Sequence, residues 1–295
     1  MLPTQCTHAL AVLAASLAFS VSAQAAANRT FVSTGGNDSN TSLNCGATTP
    51  CRTFGAALSA TNSGGEIVVL TSGGYGPATI MQPVTITAVG VTASVSATGG
   101  AEALDIETTG NVTIRGLGFH GQGSGVNGIV VLNVGTLRLY NVTAENFSFI
   151  GLWFKPSSGS LAVYDSYFSG NGNTGLLVGP GSTTVYVKNT VADHNPFGFA
   201  QQAGNVVIEN STATGNTIGI LNEGGALSLI RDESVGNGIG VATAGGSTQF
   251  AYSNITQNTT NAIDVSGGTI AGSSPGTSVV SGSMTGSLAT PVNLR

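Results

Sequence analysis

A short alternating segment recurs along this chain at intervals of 21 to 25 residues, and this repeat limits the possible folds more than any other feature. Apolar residues alternate with polar ones in each segment, as in VTIRG and VVIEN, which is the period-two pattern of a strand with one buried face. A polar turn follows, and then a glycine with an apolar residue, as in Gly151-Leu152 and Gly219-Ile220. Each repeat therefore predicts one coil with two or three short strands. The segments start at Val112, Leu137, Leu161, Val185, Val206, Leu227 and about Phe250.

A coil of this length cannot bury its own apolar face, so neighbouring coils must stack and pair their strands in parallel. Crossovers between parallel strands are strongly right-handed. The sequence therefore predicts an all-β fold, a right-handed parallel β-helix with coils of about 21–25 residues. A leucine-rich repeat has a similar period, but its L-x-x-L-x-L frame and helix do not suit coils that are rich in Gly, Asn and Thr.

Six asparagines recur at nearly the same offset in successive coils. An amide both donates and accepts hydrogen bonds, and asparagine tolerates left-handed turns. Stacked amides also stabilise repeated strands. We therefore interpret these residues as a structural ladder at one corner of the solenoid. Its predicted members are Asn146, Asn171, Asn195, Asn216, Asn237 and Asn258.

The first 25 residues are typical of a secretory signal peptide. An apolar stretch that is too short to span a membrane ends at the small-residue site Ala23-Gln24-Ala25. Cleavage would leave Cys45 and Cys51, an even number that suits an oxidising compartment and predicts a disulfide. Two free thiols are the alternative, whereas no second pair of ligands for a metal lies nearby. We expect a secreted protein, extracellular or periplasmic, without a transmembrane segment in the mature chain.

Residues 26–65 are predicted to cap the solenoid, which then occupies residues 66–295. Within the cap, RTFGAALSA favours a short helix before the strand EIVVL. A helix at this point would cover the exposed end of the core, as solenoids require to stay soluble.

The runs FVSTGGNDS, PCRTFGAAL, GGEIVVL and GGYG resemble the N-terminal segment of secreted, pectin-lyase-like right-handed β-helix proteins. Together with the repeats, the resemblance covers nearly all of the mature chain. It implies the fold but not one activity, because that superfamily holds pectate lyases, polygalacturonases, pectin methylesterases, uronan epimerases, phage tailspikes and members without known activity.

The resemblance transfers few catalytic residues. The motifs of polygalacturonases and alginate-type epimerases are absent, while VADHN supplies the Asp193-His194 pair that resembles the end of a pectate lyase stretch. Lys188 is a weak candidate for the base of a lyase. No cofactor is expected, and Ca²⁺ only if the protein is a lyase, since β-elimination needs acids that converge on the cation.

One outward-facing row does suggest binding. Aromatic rings stack on sugars, and Arg or Lys meets carboxylates, so a row of these residues would suit an extended glycan. An ordinary exposed sheet surface is the alternative. Trp153 and Lys155 form a second candidate face, and His120 and Glu145 lie at equal offsets in adjacent coils. The row consists of Arg115, Tyr140, Tyr164, Lys188 and Glu209.

Charge and composition leave two functions open. The net charge of −5 comes from scattered residues, which argues against nucleic-acid binding because phosphates require clustered Lys and Arg. Without a recognisable catalytic set, the sequence favours a secreted glycan-binding or structural surface module. The alternative is a polysaccharide lyase or glycoside hydrolase acting on an acidic, pectin-like polysaccharide.

Overall fold

The computed structural model describes residues 26–272 and 278–289, and it confirms the predicted fold class. Within this part of the chain, strands form three parallel sheets that run the length of a right-handed solenoid. The predicted signal peptide, residues 1–25, lies outside the described residues. We name the sheets A, B and C in the order in which each coil visits them.

Sheet A has 11 strands, ordered along the solenoid as along the chain. They are β1 (Ala27–Val32), β2 (Thr61–Val69), β5 (Val84–Thr87), β8 (Asn111–Arg115), β11 (Thr136–Tyr140), β14 (Ser158–Tyr164), β17 (Ser182–Lys188), β20 (Asn205–Glu209), β23 (Ala226–Ile230), β26 (Ser247–Ala251) and β29 (Thr269–Gly272). Apolar side chains point inward at alternate positions of these strands, so the period-two pattern of the sequence is the burial pattern of this sheet.

Sheets B and C each have 10 strands. Sheet B holds β3 (Gly73–Gly74), β6 (Ala93–Ser96), β9 (Leu117–His120), β12 (Thr143–Glu145), β15 (Tyr167–Ser169), β18 (Val191–Asp193), β21 (Thr212–Thr214), β24 (Glu233–Val235), β27 (Asn254–Thr256) and β30 (Val279–Val280). Sheet C holds β4 (Ala78–Ile80), β7 (Leu104–Glu107), β10 (Asn127–Asn133), β13 (Ile150–Phe154), β16 (Thr174–Val178), β19 (Phe197–Gln201), β22 (Ile218–Asn222), β25 (Ile239–Thr243), β28 (Asn261–Val265) and β31 (Met284–Thr285).

The pairing of sheet A fixes the register of the repeat. Leu137 pairs with Val112 and Leu161, so the predicted starts of the earlier segments are partners in the sheet. The last predicted start is wrong: Leu227 pairs with Thr248, and Phe250 pairs with Leu229. A polar threonine occupies the inward position there, which hid the start from a search for apolar residues.

An asparagine ladder occupies the corner between sheets B and C. The Asn216 side chain donates to Asn237 Oδ1 at 3.0 Å and to the Ala192 carbonyl at 3.0 Å, and its Oδ1 accepts from the Asn195 backbone at 2.9 Å. Each amide thus satisfies backbone groups that the corner would otherwise leave buried and unpaired. Asn171, Asn195, Asn216, Asn237 and Asn258 are joined by such bonds.

Asn146 stands outside this ladder. Its side chain is exposed, and its backbone adopts a left-handed φ of 57°. The residue that takes the inward position in that coil is Phe147, whose backbone donates to Asn171 Oδ1 at 3.2 Å. The aligned offset misplaced Asn146 by one residue because its coil turns one residue earlier than the sequence pattern indicates.

The corner between sheets A and B is built differently. Its first residue is left-handed and exposed in most coils, as at Asn189 and Asn210. Its second residue points inward and is a hydroxyl in several coils, so that Ser211 Oγ accepts from the Thr190 backbone at 3.1 Å. Asp232 takes this buried position in one coil and accepts from the Ser211 backbone at 2.8 Å.

The N-terminal cap adds a strand and a helix to the first coil. Strand β1 pairs with β2, which begins at Thr61 rather than at the predicted residue 66. Helix α1 (Phe54–Ala60) begins after Thr53, whose side chain accepts from the Ala56 backbone. A 3₁₀ helix (Asp38–Leu43) lies beside it, and a disulfide joins the two buried cysteines of the cap, Cys45 and Cys51.

Candidate functional site

The five residues of the predicted binding row lie on adjacent strands of sheet A, and we call them the sheet A strip. Tyr140 pairs with Arg115 on one side and with Tyr164 on the other. Lys188 pairs with Tyr164 and with Glu209. The repeat therefore brings these residues into one continuous line, although they lie far apart in the sequence.

The tyrosine rings of the sheet A strip contact each other rather than presenting free faces. Tyr140 and Tyr164 stack with centroids 5.0 Å apart and an interplanar angle of 9°. This separation matches the strand spacing of about 4.8 Å, so the stack follows the solenoid axis. The Arg115 guanidinium covers the other face of Tyr140, 4.0 Å from its centroid. A ligand on this sheet would meet ring edges and hydroxyls, which differs from the expected stacking of sugars on ring faces.

The far end of the strip is neutralised by its own contacts. Glu209 Oε1 lies 3.3 Å from Lys188 Nζ, and the same carboxylate accepts hydrogen bonds from Tyr186 and Arg231. The hydrogen bond from Tyr186, with those from Arg231 and Lys188, lowers the pKa of Glu209 to about 2. Lys188 is therefore committed to Glu209, and sequence reasoning had missed Tyr186, which its place on the outward face of β17 could have revealed.

The near end of the strip opens onto a groove. Arg115 and Tyr140 line an open space of about 450 Å³ at the corner between sheets A and B. The segment from Ala88 to Thr92 forms the opposite wall. No carboxylate of the described residues lies within ion-pair distance of Arg115, so its charge faces the groove and the solvent.

Asp193 and His194 lie on sheet B, around the corner from Lys188. Asp193 Oδ2 accepts from the Tyr167 hydroxyl at 2.8 Å and lies 3.1 Å from His194 Nδ1. Burial alone would raise the pKa of Asp193, but hydrogen bonds from Ser169, Tyr167 and His194 outweigh it and lower the pKa. The three weak catalytic candidates thus separate, because Lys188 bonds to Glu209 while the Asp193-His194 pair belongs to another face.

A further polar cluster, which the sequence did not predict, lies at the N-terminal end of sheet C. Burial raises the pKa of Asp105 to about 7, the neighbouring Glu102 adds to the shift and Lys155 opposes it. The Lys155 ammonium lies 3.8 Å from the Trp153 ring centroid, so the second candidate face adjoins this carboxyl. A carboxyl with a perturbed pKa on an outer face is a common feature of functional sites. Its only sequence signal was the strand LDIE.

Two questions about partners concern the described residues alone. Among them, no three His, Cys, Asp or Glu side chains are grouped so that they could hold a metal ion. His120 Nδ1 and Glu145 Oε2 lie 3.7 Å apart as a pair, without a third ligand. No helix in this part of the chain is long and apolar enough to cross a membrane.

The comparison with protein families decides the classification. A family model described as "Right handed beta helix region" matches residues 62–200 and 102–280. The chain belongs to the right-handed β-helix family. Its resemblance to pectin-lyase-like proteins is thereby confirmed for the fold. No curated protein matches the chain in sequence.

Two solved structures share this β-helix fold. Pectate lyase Pel9A superposes with a TM-score of 0.58 at 17% identity, over 88% of this chain and 78% of that chain. The A-module of mannuronan C-5 epimerase AlgE4 from Azotobacter vinelandii superposes with a TM-score of 0.51 at 17% identity, over 72% of this chain and 81% of that chain. At this identity the likeness concerns the fold.

Proposed function

We propose that this β-helix protein is a secreted module that binds an acidic polysaccharide without cleaving it, at the Arg115 end of the sheet A strip. The observation that carries the proposal is Arg115 itself. It is exposed, held against the Tyr140 ring, lines an open groove of about 450 Å³ and has no carboxylate partner among the described residues. A guanidinium held in place in this way is suited to a sugar carboxylate.

Three further observations support the proposal. The two similar solved structures are named for pectate and mannuronan, from which we infer a polysaccharide for this chain too. The Cys45–Cys51 disulfide suits an oxidising compartment and hence secretion. The eight Lys and Arg residues form no cluster in the sequence, which speaks against nucleic acid as the partner.

The test is affinity electrophoresis of the purified protein in gels that contain pectate, alginate or a neutral glucan, at low and high salt. We expect retardation by an acidic polymer that weakens with salt. Arg115→Gln should weaken it about tenfold, the loss of roughly one charged hydrogen bond. Arg29→Gln is the matched control, because Arg29 is paired with Glu66 at 2.6 Å on the same sheet. Equal retardation of both variants, or none for the parent, would contradict the proposal.

Cleavage of an acidic polysaccharide is the second candidate function, and the Asp105 cluster is the observation that favours it. A carboxyl with a pKa near 7 can act as a general acid, and Lys155 and Trp153 lie beside it. Incubation with the same polymers, with and without Ca²⁺, should be followed by ultraviolet absorbance and by new reducing ends. Product that disappears in Asp105→Asn would replace the non-catalytic proposal.

A further inference from the structure

The corner between sheets A and B changes in a single coil. Its left-handed first residue carries an exposed side chain in the later coils, where it is Asn141, Asp165, Asn189, Asn210, Arg231 or Tyr252. In the coil between β8 and β9 that residue is Gly116, with a φ of 72°. A Cβ at this position would lie 2.3 Å from the Ala88 carbonyl oxygen, so a side chain is excluded. The corner is therefore bare at Gly116.

Two neighbouring features turn the bare corner into a groove. Gly118 occupies the outward position of β9 where the next coils carry Thr143 and Tyr167, so the floor of sheet B is also bare. The preceding coil turns this corner through five residues, Ala88–Thr92, instead of one or two, and Val89 there is 74% exposed. The projecting segment forms one wall and Tyr140 with Asn141 the other.

The groove continues around the corner onto sheet B. Its sheet A limb, of about 450 Å³, and its sheet B limb, of about 300 Å³, share Val91, Thr92, Gly116 and Asn141. Each limb has the volume of a small-molecule site. A ligand that fills both limbs crosses the solenoid axis, whereas one bound along the sheet A strip would follow it.

The two limbs differ in charge. Arg115 and Tyr140 line the sheet A limb, which suits a carboxylate. His120, Thr143 and Ser94 line the sheet B limb, and all three exchange hydrogen bonds with hydroxyl or amide groups. Glu145 lies 3.7 Å from His120, so its carboxylate disfavours a second anionic sugar on that side.

We propose that the corner groove over Gly116 and Gly118 binds a short oligosaccharide in which one acidic sugar is joined to a neutral one. The acidic sugar lies against Arg115 and the neutral sugar lies against His120 and Thr143. This inference rests on the proposed function, because both use Arg115, and it adds a defined site, a direction and a charge pattern to it.

The experiment measures binding of two tetrasaccharides to the full chain by calorimetry. One alternates glucuronate with N-acetylglucosamine, and the other is tetragalacturonate. We expect the alternating ligand to bind about fivefold more tightly, the effect of one unfavourable charge contact at a partly exposed site. Glu145→Gln should remove this preference by improving the binding of tetragalacturonate.

Filling the floor supplies the second measurement. Gly118→Thr places a Cβ 3.0 Å from His120 Nε2 and 3.2 Å from Thr143 Oγ1, and it should weaken both tetrasaccharides at least tenfold. Ser228→Thr, the same kind of enlargement on the outer face of β23, should change nothing. If Gly118→Thr does not fold, His120→Gln tests the same limb and should weaken the alternating ligand selectively.

The outcomes separate the two proposals. Loss of polymer retardation in Arg115→Gln together with unchanged tetrasaccharide binding in Gly118→Thr keeps the proposed function and overturns the groove. Equal affinities for the two tetrasaccharides, or a preference that survives Glu145→Gln, also overturn it. No effect of Arg115→Gln on any ligand would overturn both.

Discussion

The solenoid has a regular half and an irregular half, and they carry different features. From Val185 onward, sheet A partners lie 21 residues apart, as Val206 does from Val185 and Leu227 from Val206. Nearer the N-terminus the spacing is longer, as between Val84 and Val112. The asparagine ladder runs through the regular half, whereas the corner groove and the Asp105 cluster lie in the irregular half.

This difference follows from what identical coils can do. When coils have the same length, like residues lie above one another, and a residue that both donates and accepts can pair with its own copy. When a coil gains residues or exchanges a bulky corner residue for glycine, the stack leaves a gap. Repetition thus builds the scaffold of this protein, and departures from repetition build its candidate sites.

The largest expected effect is on the ladder of the regular half. Asn216→Ala leaves the Asn195 backbone N–H and the Ala192 carbonyl without partners at a buried corner, so we expect unfolding to become easier by about 4 kcal/mol, from several unpaired groups at about 1–3 kcal/mol each. Thermal denaturation followed by circular dichroism measures this change. Asn210→Gly, at an exposed left-handed position, is the control and should stay close to the parent. An unchanged melting temperature of Asn216→Ala would remove the distinction between scaffold and site.

The next effect concerns Asp232, where the regular half departs from its own pattern. Burial raises the pKa of Asp232 to about 8, while backbone N–H groups of Ser211 and Ile230 favour the charged form. The folded protein therefore holds this proton more tightly than the unfolded chain, and its stabilising effect is complete below about pH 4 and lost as the pH rises towards 8. We expect a loss of about 3 kcal/mol over that range, at a slope below the limit of about 1.4 kcal/mol per pH unit.

Asp232→Ser restores the hydroxyl that Ser211 and Ser253 supply in the adjacent coils. The variant should therefore lose this pH dependence and be more stable than the parent at pH 8. Denaturation midpoints in urea at pH 5 and pH 8 measure both quantities. Parallel curves for variant and parent would show that Asp232 ionises as an ordinary carboxyl.

The smallest of the three effects is expected in the cap of the irregular half. Cys45→Ser combined with Cys51→Ser opens a short loop, and the entropy gained by the unfolded chain should cost about 2 kcal/mol. Urea denaturation of the variant checks this value, with reduction of the parent as the matched comparison. If polysaccharide retardation survives in the variant, the cap serves stability and not binding. Retardation lost at full stability would move the binding site into the cap.

The candidate site was predictable in part. The offsets placed Arg115, Tyr140 and Tyr164 in one line, because the repeat fixes which residues become neighbours in a parallel sheet. The offsets could not show that Tyr186 and Arg231 join Lys188 on Glu209, since side-chain length and rotamer decide those contacts. Asp105 was missed because neither its burial nor its approach to Lys155 has a signature in one strand of sequence.

The sequence by itself determined the fold class, since a period of 21–25 residues with alternating apolar positions can bury its core only by stacking parallel coils. It also placed most of the ladder, because that feature repeats with the coil. Only the tertiary structure decided that Phe147 and not Asn146 faces inward, that Thr248 begins the last full repeat, and that Gly116 and Gly118 lie bare under a projecting corner. The physical reason is that a repeat specifies contacts between like residues, whereas a gap arises where neighbouring coils differ, and its shape depends on how both pack.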